Sequence, residues 1–217
     1  MIDWATYAQV ATAAGTLVLA IATFSSIKSA NHSARVAERS LLAAQRPILT
    51  PSRPEDPEER ARFGDGHVIR LHGSGGVIDF VDGRLYMAIA LRNGGAGLAV
   101  IHGWHVRAMG ERLGEVGPPE VDAFRRQLRD LYIPAQQTGF WQAAIRDTKD
   151  PDYELVRGVA TNAERLIVDL LYGDHEGGQR SIVRVGISTG DFPDNRELGY
   201  ARAEVLRYWN VDSHDPR

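Results

Sequence analysis

The apolar positions of this chain fall into two regimes. From Trp4 to Ile27 no residue carries a formal charge, whereas beyond Pro47 apolar and polar residues alternate in short runs broken by Gly, Asp and Asn. A helix over residues 4–27, at about 1.5 Å per residue, would be roughly 36 Å long. That is enough to cross a hydrocarbon core of about 30 Å with some tilt. Val10, Leu17, Val18, Leu19, Ile21, Phe24 and Ile27 are its strongly apolar members, and Trp4 and Tyr7 suit an aromatic belt at one interface. We expect a single transmembrane helix here, in contact with the lipid bilayer. The alternative is an Ala-rich helix packed on the domain that follows.

The residues before the apolar run are Met-Ile-Asp, without the basic n-region of a cleaved signal peptide. The helix is therefore expected to persist in the mature protein. On its far side Lys28, Arg35, Arg39 and Arg46 stand against the lone acid Glu38. The positive-inside rule then places the C-terminal domain in the cytoplasm of a single-pass cell-membrane protein.

Residues 28–46 are rich in Ala, Leu, Glu and Arg, all good helix formers, until Pro47 ends the pattern. They extend the membrane helix as a juxtamembrane stalk, so that residues 1–46 form one unit. Ala30, Ala34, Ala37 and Leu41 fall on a narrow apolar seam. The seam fits self-association or another partner helix, or a stalk lying on its own domain or on the bilayer. Prolines 51, 54 and 57 alternate with charges, so residues 47–66 read as a solvated linker.

Residues 67–217 read as strands and turns. Runs at 76–81 and 84–92 flank Asp82-Gly83, a two-residue hairpin signal. In the second run Leu85, Met87, Ile89 and Leu91 alternate with polar or small residues, the mark of a half-buried strand. A third run over 98–107 puts Val100, His102, Trp104 and Val106 on one face. A Gly/Pro-rich loop follows over 110–119. Further strands are expected at 128–133, 139–145, 165–171, 179–188 and 201–209, with a short helix over 152–164. About seven short antiparallel strands at this spacing predict an Ig-like β-sandwich, with a partly closed barrel as the nearest competitor.

Composition narrows the function classes. The net charge is −3, and the excess of acids lies in the globular part, which argues against electrostatic nucleic-acid binding. There is no cysteine, so disulfides, thiolate catalysis and Cys-ligated metal are excluded.

Gly186-Ile187-Ser188-Thr189-Gly190 matches the G-x-S-x-G nucleophile elbow, with His72-Gly73-Ser74-Gly75-Gly76 upstream and Asp212 and His214 downstream. An elbow must lead directly into a helix, yet Asp191-Phe192-Pro193-Asp194 reads as a turn. A serine hydrolase using Ser188 is accordingly an alternative, not the expectation. His102 and His105 are three apart on an expected strand, which sends them to opposite faces, and Asp174-His175-Glu176 reads as a hairpin tip. No catalytic, cofactor or metal set is assigned. The adjacent aromatics Phe140-Trp141 and Tyr208-Trp209 cannot both point inward from a regular strand.

The apolar helix, Ala44-Gln45-Arg46-Pro47, the turn Leu91–Gly97, Tyr172-Gly173-Asp174 with Gly177-Gly178, and Arg207–Asp212 resemble segments of uncharacterised bacterial single-pass membrane proteins. In that group a β-sandwich follows a helix ending at a similar Arg-Pro. The resemblance implies a fold and a topology, but no active site. The expected function is a membrane-tethered, non-catalytic module for protein interaction or assembly. A soluble or exported ligand-binding module with a packed N-terminal helix is the remaining alternative.

Overall fold

The computed structural model describes residues 4–109, 117–162, 164–188 and 200–212. The chain divides into two compact units, Met1–Ala44 and Gln45–Arg217. The first is one unbroken helix, α1 (Trp4–Ala44), so the expected span and stalk are continuous. It stops where Pro47 begins to disfavour helical geometry in the preceding residue. Thr12 and Thr16 donate their hydroxyls to the carbonyls of Ala8 and Thr12, each at 2.9 Å. These bonds satisfy polar groups that an apolar solvent would otherwise penalise. Leu17, Val18, Leu19, Ile21 and Phe24 are all exposed, the last by 72%. Among the described residues this is the one helix long and apolar enough to cross a membrane.

The second unit is mainly antiparallel β. Its strands are β1 (Leu49–Pro51), β2 (Glu59–Arg62), β3 (Val68–Leu71), β4 (Gly75–Val81), β5 (Arg84–Asn93) and β6 (Ala99–Ala108). After a 3-10 turn at Val121–Ala123 come β7 (Arg125–Ile133) and β8 (Thr138–Ile145), helix α2 (Pro151–Thr161), β9 (Arg165–Gly173), β10 (Ser181–Ser188) and β11 (Tyr200–Asn210). Nine strands form one sheet in the order β1-β5-β4-β11-β10-β9-β6-β7, with β8 on the other edge of β5, and β2–β3 form a second sheet. The described residues thus hold eleven strands rather than about seven, nine of them joined in one hydrogen-bonded sheet.

That sheet rolls over on itself. The rings of Trp104 on β6 and Trp141 on β8, from opposite ends of the strand order, meet edge to face with centroids 5.8 Å apart. Around them Met87, Ile89, Val168, Leu170, Val183 and Val185 pack into one core. Helix α2 contributes Tyr153, Val156 and Val159 to the same core. Its first turn is fixed by Pro151 and by Asp150, whose side chain accepts from the Asp152 N–H at 3.1 Å.

Three expectations need correction. Residues 47–66 are not a solvated linker: β1 and β2 lie within them, and Leu49, Ala61 and Phe63 are buried. β5 is not half-buried, because Ala61, Phe63, Ile69 and Leu71 of the β2–β3 hairpin and its turns cover Tyr86, Ala88 and Ala90 on its second face. On β6 the register shifts between Ile101 and Gly103, so Ile101, not Val100, joins Trp104 and Val106 in the core. One extra residue in a strand reverses the face of everything before it.

A further cluster lies on the outer side of β9–β11, where Leu171, Ile182 and Trp209 pack together. Beside it Arg184 and Asp169, 1% and 0% exposed, pair across strands through Nε–Oδ1 at 2.7 Å and Nη2–Oδ2 at 3.1 Å. The guanidinium also donates to the Gly117 carbonyl at 3.1 Å and lies 4.5 Å from the Trp209 ring. The pairing is bidentate, the geometry a buried ion pair needs to offset its desolvation.

Candidate functional site

Two places in the β domain are built beyond what packing alone requires. The first is a collar around residues 45–49. Asn93 is fully buried and every polar atom of its side chain is used. Its carbonyl accepts from the N–H groups of Ile48 (3.1 Å) and Gly95 (2.9 Å), and its amide donates to the carbonyls of Gly97 (2.7 Å) and Ile133 (3.0 Å). Neither Asp nor a hydrophobe could supply that set. Gly94 N–H returns a bond to the Ile48 carbonyl at 2.8 Å. A Cβ on Gly97 would stand 1.8 Å from the Gln45 carbonyl oxygen, and one on Gly95 2.2 Å from that of Arg46. The glycines are therefore demanded by close backbone approach.

The other side of the collar comes from β9–β11. Arg46 donates to Ser181 Oγ at 2.8 Å and to Asn210 Oδ1. Tyr208 donates to the Leu49 carbonyl at 2.7 Å. Burial pushes the Tyr172 and Tyr208 phenols above their ordinary value, so both stay protonated, and Tyr172 accepts from the Leu49 N–H at 3.5 Å. Arg180 clasps Asp212 with Nη2–Oδ1 at 2.6 Å and Nε–Oδ1 at 3.0 Å, and that bond first and foremost holds the Asp212 carboxyl below the usual carboxylate range. The segments that carried the resemblance thus meet in space: residues 45–47, the Asn93–Gly97 turn, Tyr172–Gly178 and Arg207–Asp212. Their shared work is to seat the first residues after the helix.

The second place is a cleft of about 570 Å³ between β7 and β8. These strands are consecutive and joined by the turn at 134–137, yet no ladder pairs them: β7 bonds to β6 and β8 to β5. Near the turn they touch, Ile133 packing over Gly139. Farther along they part, and opposite β6 the β7 chain inserts residues 127–130 where β6 has only His102. Trp104 lies in the cleft, and Arg125, Arg126, Arg129 and Arg146 surround it, with no acidic lining residue among the described residues.

The arginines are of two kinds. Arg125 is braced by Asp150 and Asp152, with Nη1–Oδ distances of 2.9 and 2.7 Å, and lies 4.9 Å from the Trp104 ring. Its hydrogen bond is the main cause of the lowered pKa of Asp150. Arg146 is held by Asp65 at 3.2 Å. Arg126 and Arg129 are exposed and form no ion pair among the described residues. Deeper in, Gln127 and Gln142 each keep a buried side-chain carbonyl with no donor among the described residues, while their amides donate to the carbonyls of Gln142 (3.1 Å) and Arg62 (3.2 Å). Leu128 is 96% exposed at the tip of the insertion.

The residues weighed from sequence fare differently. Ser188 ends β10, its Oγ accepting from Arg165 Nε at 2.8 Å, with Thr189, Gly190 and His214 outside the described residues. His72–Ser74 form the turn into β4, which Gly75 and Gly76 open, with Ser74 Oγ donating to the Ser52 carbonyl at 2.9 Å. The β6 bulge turns His102 and His105 to the same side, away from the core, against the expectation of opposite faces. Asp174 is a turn staple, accepting from the N–H groups of Glu176 (3.1 Å) and Gly178 (2.8 Å). Among the described residues no three His, Asp or Glu side chains converge as a metal site. Trp141 points into the core and Phe140 packs against both the core and the cluster beneath β2–β3, while Tyr208 packs against the core and Trp209 belongs to the outer cluster of β9–β11. The cleft was missed in sequence; its signal is the Arg125-Arg126-Gln127-Leu128-Arg129 run, too polar for an ordinary buried strand. No family model, no curated protein and no solved structure matches this chain.

Proposed function

We propose that this protein is a membrane-tethered, non-catalytic interaction module, held in the cell membrane by residues 4–27 with its β domain in the cytoplasm. The observation that carries this reading is α1: an uncharged segment of membrane-spanning length whose large apolar side chains are uncovered. Exposed apolar area of that extent is unfavourable in water, at about 25 cal/mol per Å², and favourable in lipid. The basic residues at 28–46 set the orientation, and the Ala30, Ala34, Ala37 and Leu41 seam offers a second copy of the helix a close contact. As an architecture, the domain is read as a sandwich whose layers stay joined through hydrogen-bonded strands. Its partner-binding surface is the β7–β8 cleft, where arginines surround a half-apolar groove. Sedimentation tests the tether: the chain should stay with membranes through high-salt and alkaline washes, and release by either would refute it.

A further inference from the structure

The rolled sheet has a gap in one place, and the gap has the chemistry of a missing strand. In an antiparallel ladder the N–H and C=O of a residue point to the same side. The Gln142 carbonyl faces β7, since it accepts from Gln127 Nε2 at 3.1 Å. The unshifted β5–β8 register then turns the backbone groups of Phe140 and Ala144 the same way. Among the described residues those groups meet no ladder partner, because β7 bonds to β6 and bows out at 127–130.

Two further features describe what would fit. Among the described residues the rim holds four arginines and no acid; Arg125 and Arg146 are paired with Asp150, Asp152 and Asp65, while Arg126 and Arg129 form no ion pair. Trp104 supplies apolar surface inside the cleft. A strand laid here sends alternate side chains to the arginines and to the apolar interior.

We propose, resting on the interaction-module reading, that the cleft takes an extended acidic peptide with alternating acidic and apolar residues, which adds to the β8 edge as a strand. Main-chain bonds to β8 supply affinity, and the alternation supplies specificity. A single small anion is disfavoured, because it would leave the β8 edge unused.

The test uses the full chain in lipid nanodiscs and a fluorescein-labelled peptide, Glu-Val-Glu-Val-Glu-Val, followed by anisotropy. Saturable binding is expected, weakened by added salt. Arg126→Glu with Arg129→Glu should weaken it by about tenfold or more, through like-charge contact at the rim. The same peptide N-methylated at alternate residues should lose binding, since its strand-pairing donors are gone. A block isomer, Glu-Glu-Glu-Val-Val-Val, should bind more weakly. Absence of binding, equal binding of the N-methylated peptide, or indifference to both charge reversals would overturn the proposal. A chain that stays with washed membranes but ignores the peptide would sink the strand-addition proposal alone. One that binds peptide but leaves the membrane would sink the tether alone.

Discussion

Replacing Gly97 by Ala should loosen the collar, and the size of the effect follows from its geometry. The added methyl would sit 1.8 Å from the Gln45 carbonyl oxygen and 2.9 Å from its carbon. Ordinary contact requires about 3.4 Å or more, so the 45–48 backbone must shift by over an ångström. The Ile48 N–H bond to Asn93 and the Gly94 N–H bond to Ile48, at 3.1 and 2.8 Å, depend on that backbone. At about 1 kcal/mol each, with part of the Asn93 desolvation penalty exposed, the loss is about 2–3 kcal/mol. For a domain of this size that lowers the melting temperature by about 4–12 °C. The control is Gly158→Ala in α2, where a Cβ would meet nothing within 4 Å. There the same change should add about 0.5–1 kcal/mol by restricting the unfolded chain and favouring the helix. Thermal unfolding of both variants in detergent micelles, followed by tryptophan fluorescence, reads the two signs. A Gly97→Ala protein that melts with the wild type would refute the collar as a close-packed junction.

Other perturbations separate the remaining parts of the account. Asp169→Ala leaves Arg184 buried without its partner and should cost about 3–5 kcal/mol in denaturant unfolding, whereas Asp169→Leu with Arg184→Met should recover most of that loss. Asp150→Ala removes both the α2 cap and the brace on Arg125, with a capping loss of about 1 kcal/mol, while Asp150→Asn keeps the cap and loses the charge. The Arg125 hydrogen bond chiefly holds the folded Asp150 carboxyl below its ordinary value of 3.8. Its stabilisation is therefore complete above that value and lost as pH falls through the folded pKa, so the gap between wild type and Asp150→Asn should close below about pH 4. Leu19→Arg places a charge in the middle of the span at a cost of about 3–4 kcal/mol of insertion, and should shift the chain from the washed-membrane fraction to the soluble fraction.

Local signals were legible wherever a structure is decided by neighbours in sequence. Asp82 and Gly83 take φ of 51° and 73°, the paired positive values a two-residue hairpin needs, and β4 and β5 flank them as expected. Asp150-Pro151 starts α2, and the uninterrupted helix formers before Pro47 give α1. What escaped was decided at long range. Proline and charge made 47–66 look solvated, but Leu49, Ala61 and Phe63 find partners far along the chain. Alternation in β5 marked one apolar face correctly, yet small Ala88 and Ala90 on the other face are cover-seeking too, once β2–β3 lies over them. The bulge at His102 leaves no periodic trace strong enough to announce a change of face. The cleft is the least legible feature, because a turn at 134–137 reads as a paired hairpin and gives no sign that its strands part.

The most direct test of the tethered module is protease accessibility of the β domain in intact cells and in inside-out membrane vesicles. The account predicts protection in cells and cleavage in the vesicles, with the α1 segment retained in the membrane. Cleavage in intact cells would contradict the cytoplasmic placement, and recovery of the intact chain outside the membrane fraction would contradict the tether itself.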